Sequence, residues 1–250
     1  MSVLRVSGLA KSFGGVQALR GVGFSVDAGE MLAMIGPNGA GKSTCFNLVN
    51  GQLAPDSGRI ELEGKSIAGL APRVIWRLGV GRTFQVTATF ASMTVRENVQ
   101  MALLSHARQL ASAFASAARL HGPDADALLA QVGRAPQAER PAAVLAYGDL
   151  KRLELAMALA SRPRLLLMDE PTAGMAAGER AALMKLAASL AKASGIAVLF
   201  TEHDMDAVFT HADRIIVLAD GELIAEGTPA QVRADRRVRE AYLGEAVDDA

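Results

Sequence analysis

Two groups of residues have the types and spacing to do chemistry. The first is the run Gly36-Pro37-Asn38-Gly39-Ala40-Gly41-Lys42-Ser43-Thr44. Its Gly36, Gly41, Lys42 and Ser43 match the spacing G-x-x-x-x-G-K-[ST] of a loop that cradles phosphates. Glycines let backbone N–H groups turn toward phosphate oxygens. The helix expected next, over Ser43 to Asn50, offers its free N–H groups and positive dipole end to the same anion. Lys42 can then reach the β- and γ-phosphates of a nucleoside triphosphate, and the Ser43 hydroxyl can ligate Mg2+. The second group is Asp169-Glu170, which closes the apolar run Leu165 to Met168. Ligands of parallel sheets sit at the carboxyl ends of strands. Asp169 there suits a metal ion, and Glu170 suits a general base for an attacking water. Two adjacent carboxylates repel, and a divalent cation together with Lys42 offsets that.

Such a site must be held by a parallel sheet. Met31 to Ile35, Leu165 to Met168, Ile196 to Phe200 and Ile215 to Leu218 are continuous apolar runs, the pattern of strands buried on both faces. A helical pattern between them, over Gly178 to Ser194, completes an α/β core. Val22, Phe24 and Val26, and Ile60 and Leu62, alternate with polar or small residues and predict half-buried antiparallel strands. Val95 to Ser161 is rich in Ala, Leu and Arg, and predicts helices broken near His121-Gly122-Pro123 and Arg140-Pro141. We read residues 1–250 as one domain. Residues 1–84 and 162–242 form the α/β core with its β subdomain, 85–161 form an inserted helical subdomain, and 243–250 form an acidic, frayed tail.

Composition excludes several classes. Formal net charge is zero, whereas a nucleic-acid binder carries a basic stripe. The cluster Arg233, Arg236, Arg237 and Arg239 is interrupted by Asp235 and Glu240 and reads as a solvated helix face. The one cysteine, Cys45, allows no internal disulfide. Met1 to Leu9 lacks the apolar segment of a signal peptide. No run reaches the roughly 18 to 20 apolar residues of a membrane span. Work at a membrane is therefore expected to go through a partner.

Further segments fall in order along the chain: Gly81-Arg82-Thr83-Phe84-Gln85, Leu145-Ala146-Tyr147-Gly148-Asp149, Pro171-Thr172-Ala173-Gly174-Met175, and Thr201-Glu202-His203-Asp204. With the two groups above, they resemble the nucleotide-binding subunits of ABC transporters over essentially the whole chain. The resemblance implies a P-loop NTPase cassette: a RecA-like parallel-sheet core, an antiparallel β subdomain and an inserted helical subdomain. It implies ATP and Mg2+ as ligands, with Gly36 to Thr44, Phe13 and Gln85 on ATP. Phe13 would stack on adenine. Ser43, Asp169 and Gln85 would serve the metal, and Lys42, Glu170 and His203 catalysis. Ala146, Tyr147, Gly148 and Asp149 would meet the ATP of a second cassette in a head-to-tail dimer. Membrane-spanning permease subunits would be the other partners, with a solute-binding protein outside the membrane and the cassette peripheral on its cytoplasmic face.

The chain departs from the family pattern at Ala146 and Tyr147, where Ser and Gly are usual, at Asp149, where Gln is usual, and at Ala176, where Asn or Asp is common. A carboxylate near a phosphate site is unfavourable unless it points away or is paired, and Arg152, three residues on along the same helix face, is a candidate partner. These departures, with Met93-Thr94-Val95-Arg96-Glu97-Asn98-Val99 and the ending Ala241-Tyr242-Leu243-Gly244-Glu245-Ala246, resemble the ATPases of branched-chain amino acid importers. Importers of urea, short amides or aromatic acids, and envelope lipid exporters, share the same motifs. A soluble ABC protein of DNA repair or translation usually carries two cassettes or a long coiled coil, which this chain lacks. A small-molecule kinase leaves Gly148 and His203 unexplained. Phe84, Phe90 and Met93 are the expected apolar contacts of a permease segment.

Overall fold

The computed structural model describes residues 2–83, 89–109 and 120–243. Phe84, Gln85 and the end of the chain from Gly244 lie outside the described residues. Among the described residues ten strands form two sheets. The first has the order β2 (Val16–Asp27), β1 (Ser2–Phe13), β4 (Ser57–Leu62), β5 (Lys65–Ser66), and every pairing in it is antiparallel. The second has the order β10 (Glu222–Gly227), β9 (Arg214–Ala219), β3 (Met31–Ile35), β8 (Ala197–Thr201), β7 (Leu165–Asp169), β6 (Val80–Thr83). Its pairings from β9 to β6 are parallel, and β10 returns antiparallel along β9.

The apolar runs follow from this arrangement. Met31, Ala33 and Ile35 of β3 join a cluster with Met168, Val198 and Phe200 that faces the long helices. Leu32 and Met34, one residue out of phase, join Leu167 and Leu199 in a second cluster with Phe46 and the antiparallel sheet. Successive side chains of a strand point to opposite faces, so a sheet covered on both sides needs apolar residues at every position. The antiparallel strands are covered on one side. Val22, Phe24 and Val26 are buried there, while Gly21 and Gly23 are exposed.

The helices are α1 (Lys42–Val49), α2 (Pro72–Arg77), α3 (Val95–His106), α4 (Gly122–Gln131), α5 (Tyr147–Leu159), α6 (Ala177–Ser194), α7 (Met205–His211) and α8 (Pro229–Ala234), with a short helical stretch after α8. Helices α3, α4 and α5 lie between β6 and β7 in sequence, where a helical segment was expected. Thr94 starts α3 with a capping box that includes Glu97, satisfying two otherwise unpaired N–H groups. Buried Asn98 ties α3 to the preceding turn, accepting from the Phe90 N–H at 2.7 Å and donating to the Phe90 carbonyl at 3.1 Å. Strands β1, β5, β6 and β10 escape the apolar-pattern signals, because β1 is long and irregularly paired and the other three lie at sheet ends.

Phe200 is fully buried between the sheet and the helices, whereas Phe13 is 45% exposed at the end of β1. Phe200→Ala is expected to cost about 3–5 kcal/mol of stability. Phe13→Ala is expected to stay within about 0.5 kcal/mol. Chemical denaturation of both variants checks the contrast.

Candidate functional site

The chain leaves β3 at Ile35 and enters α1 through residues 36–41. Gly36 has φ 154°, and a Cβ there would lie 2.1 Å from the Leu218 carbonyl oxygen. Gly41 has φ 102°, and its Cβ would lie 2.5 Å from the Ala18 carbonyl oxygen. Both positions therefore demand glycine. Gly41 is also the N-cap of α1 and offers no side-chain cap, so the first N–H groups of the helix are left for a ligand. Pro37, Asn38, Gly39 and Ser43 are exposed, while Ala40 is buried against the core. The contact between Gly41 and Ala18 sets the β1–β2 hairpin beside the loop. Phe13 sits at that hairpin, partly exposed, with Lys11 Nζ over its ring at 5.5 Å from the centroid.

Lys42 lies folded against its own loop, donating from Nζ to the Gly36 carbonyl at 2.6 Å and the Pro37 carbonyl at 3.0 Å. Burial pulls its pKa down, and Glu170 and Asp169 pull it back up.

The acidic pair is held from three sides. Asp169 Oδ1 accepts from the Thr201 hydroxyl at 2.9 Å, and Oδ2 accepts from Arg82 Nη2 at 3.0 Å. Glu170 has φ 46°, a left-handed conformation that a non-glycine residue keeps only when its surroundings fix it. Its N–H supplies the fixing, pointing at both the Thr201 carbonyl at 3.2 Å and the Thr201 hydroxyl at 3.1 Å. Its Oε1 lies 2.9 Å from His203 Nε2. Asp204, the next residue, caps α7 and pairs with Arg180 at 3.2 Å. Glu202 is buried and accepts from the Thr172 N–H at 2.9 Å, fixing the chain just after Glu170. Burial pushes its carboxyl pKa up.

Thr201 and Arg82 were not singled out as site residues in the sequence. Thr201 faces Asp169 in the register of β7 and β8, and Arg82 reaches it from β6, the strand on the other side of β7. That lateral order is invisible along the chain. His106 packs edge-on against Trp76 with ring centroids 5.2 Å apart, and His121 contacts Asp124. Neither joins the site.

The oxygen donors Ser43 Oγ and Asp169 suit a hard cation. Mg2+ takes one or two carboxylates plus substrate phosphates rather than an all-protein cage. Among the described residues no group of three or more His, Cys, Asp or Glu could cage a metal. The residues thus fit a cation that arrives with a phosphate chain.

Ala146, Tyr147, Gly148 and Asp149 form a separate group at the start of α5. Ala146 is the N-cap and supplies no side-chain cap. Tyr147 is exposed and Gly148 buried. The Glu179 carboxylate abuts Gly148: a Cβ there would lie 2.9 Å from Oε1. The candidate partner of Asp149 is corrected. Arg152 donates instead to the Val132 carbonyl at 3.2 Å. Asp149 pairs with Arg134 and accepts from Gln137 Nε2 at 2.9 Å. The turn after α4 folds back under the first turn of α5, so a residue fifteen positions upstream is nearer than one on the same helix. The carboxylate that needed explaining is thereby turned aside, while Glu179, which was not singled out, takes the place beside Gly148. Ala176 is the N-cap of α6 and gives it no side-chain cap, which Asn or Asp would have given.

A double-mutant cycle is expected to find about 1 kcal/mol of coupling between Arg134 and Asp149, and less than about 0.3 kcal/mol between Arg152 and Asp149. Thermal or denaturant unfolding of the single and double alanine variants measures it.

The sequence matches the ABC transporter family over residues 19–173, and the branched-chain amino acid ATP-binding cassette transporter family over residues 222–248. It is 41% identical to the high-affinity branched-chain amino acid transport ATP-binding protein BraF of Pseudomonas aeruginosa, covering 98% of each chain. Among solved structures it is similar to an ATP-binding cassette of an ABC transporter in its ADP conformation, with TM-score 0.87 and 33% identity over 98% of this chain and all of that one. A second is a dimeric cassette in a post-hydrolysis state bound to ADP and phosphate, with TM-score 0.75 and 25% identity over 90% of this chain and 98% of that one. The family match and these relatives, together with the phosphate loop and the fold, give the assignment: the chain is an ATPase of the ABC transporter ATP-binding family.

Proposed function

We propose that this chain energises an importer of branched-chain amino acids from the cytoplasmic face of the membrane. The observation that carries this reading is the match of residues 222–248 to the branched-chain cassette family, because the nucleotide motifs are common to importers and exporters alike. No helix among the described residues is long and apolar enough to cross a membrane, so attachment falls to permease subunits. A fit for them is a cavity of about 390 Å³ between α2, β6, α3 and α5, lined by Trp76, Arg82, Thr83, Ala102 and Met157 among others. Phe90 and Met93, the contacts expected from the sequence, are not among its lining residues. The Met93 carbonyl is taken up by the Ala142 N–H at 2.9 Å, in a turn beside α3.

In this reading ATP phosphates lie on the N–H groups of residues 39–44, with Phe13 on the adenine. An ammonium has three donors. Lys42 gives two to its loop and has the third for the β- and γ-phosphates. Mg2+ would be held by Ser43, Asp169 and Gln85, and would supply positive charge to the phosphate oxygens. Glu170, held by His203, takes a proton from water as the water oxygen bonds to the γ-phosphorus. The bond from that phosphorus to the β–γ bridging oxygen breaks, giving ADP and phosphate. The group Ala146 to Asp149 brings the N-terminus of α5, with its Tyr147 and Gly148 N–H groups, to the γ-phosphate bound by a second cassette, and a cassette dimer among the relatives supports the pairing. ATP favours the closed pair, hydrolysis releases it, and residues 85–161 carry the motion to the permease.

Thermal-shift screening of the cognate solute-binding protein tests the cargo. Leucine, isoleucine or valine is expected to stabilise it, and stabilisation by urea, an amide or an aromatic acid alone would replace this assignment. Glu170→Gln is expected to hold an ATP-bound dimer and lose turnover, seen by gel filtration and phosphate release. Thr201→Val removes a hydrogen bond to a charged group and is expected to slow turnover on the order of tenfold or more. Thr201→Ser should recover most of it.

A further inference from the structure

Arg82 joins two places that the function must connect. Its guanidinium Nη2 donates to Asp169 Oδ2 at 3.0 Å, while Nη1 donates to Asn47 Oδ1 at 2.9 Å and Gln52 Oε1 at 3.2 Å. The side chain is 8% exposed and lies 6.0 Å from the Phe46 ring centroid. Asn47 belongs to α1, the helix that opens with Lys42 and Ser43. Gln52 and Arg82 also line the cavity beside α2 and α3. One planar cation therefore spans β6, the phosphate-loop helix, the metal carboxylate and the cavity wall.

Asp169 has two supports, Thr201 on Oδ1 and Arg82 on Oδ2. Each carboxylate oxygen accepts about two hydrogen bonds or ligand bonds, so both keep capacity for a cation. The two supports differ in kind. Thr201 is buried at the end of β8 and cannot respond to a partner. Arg82 stands in the cavity wall, and anything that fills the cavity bears on it. A lysine could not do the same work, because a point donor reaches one end of this span and a guanidinium fork reaches both.

We propose that Arg82 is a positioning residue that sets the Asp169 carboxylate for the cation and makes that setting depend on what occupies the cavity. Its second half rests on the docking reading above. Its first half does not. Closure of a permease segment on the cavity tightens or loosens Arg82, and Asp169 moves with it. The nucleotide site thus reads the transporter's state through a side chain fixed in the core, beside whatever the segment after Thr83 contributes.

The test uses Arg82→Gln and Arg82→Lys in the isolated cassette and in the assembled transporter. Melting curves first confirm that both are folded. Fluorescent-ATP affinity in the presence of a chelator is expected to stay within about twofold of the parent chain. Mn2+ binding to the nucleotide complex, read by electron paramagnetic resonance, is expected to weaken about tenfold in Arg82→Gln, the loss of one charge-assisted hydrogen bond. Arg82→Lys keeps the ion pair and should recover most of that affinity. In the purified transporter Arg82→Lys is expected to lose the change in ATPase rate that the permease imposes. Unchanged Mn2+ affinity in Arg82→Gln overturns the first half, and an intact permease effect in Arg82→Lys overturns the second. Should Arg82→Gln melt early, Gln52→Leu keeps the second half testable, with a reduced permease effect expected at parental Mn2+ affinity and a full effect overturning it. Failure of the docking reading itself shows separately, as a Trp76→Glu cassette that still copurifies with its permease.

Discussion

Asp169 and Glu170 put two carboxylates side by side at the end of a buried strand. Like charges so close repel, and much of the local structure answers that repulsion. Arg82 and the Thr201 hydroxyl take the first carboxylate. His203 meets the second at 2.9 Å. Burial pulls the Lys42 pKa down, and the charges of Glu170 and Asp169 oppose that pull. The left-handed backbone at Glu170 sends consecutive side chains to different partners, at a cost of about 1–3 kcal/mol that the Thr201 contacts must hold in place. A site so loaded with charge has its groups arranged before a ligand arrives, and preorganised charge is what phosphoryl transfer needs.

The sheet makes that arrangement possible. Strands β3, β7 and β8 run parallel, so the phosphate loop, the acidic pair and the histidine segment all leave the same end. Their side chains alternate between two apolar clusters, one under the helices and one under the antiparallel sheet. A rigid double-sided core fixes the strand ends relative to one another. The loops beyond them can then carry glycine where only glycine fits and a strained residue where chemistry needs one.

The second group, around Gly148, lies apart from the loop, with Arg134, Gln137, Gly174 and Glu179 as its neighbours. An uncapped helix start fits the proposed reading, in which a second cassette completes the site. The departures at Ala146, Tyr147 and Asp149 leave that end with backbone donors, and the pairing of Asp149 with Arg134 keeps one negative charge out of their way.

By itself the sequence determined the fold class, the buried strands, the phosphate loop, the acidic pair and the residues that carry the family resemblance. Those features are local: a spacing of glycines, an unbroken apolar run, a carboxylate at its end. Tertiary structure alone decided which groups meet them. Thr201 touches Asp169 because β8 lies beside β7 in register, and Arg82 touches it because β6 lies on the other side. Asp149 found Arg134 rather than Arg152 because a turn folds back under α5. Strand order and turn direction are set by packing between distant segments, and no spacing along the chain records them.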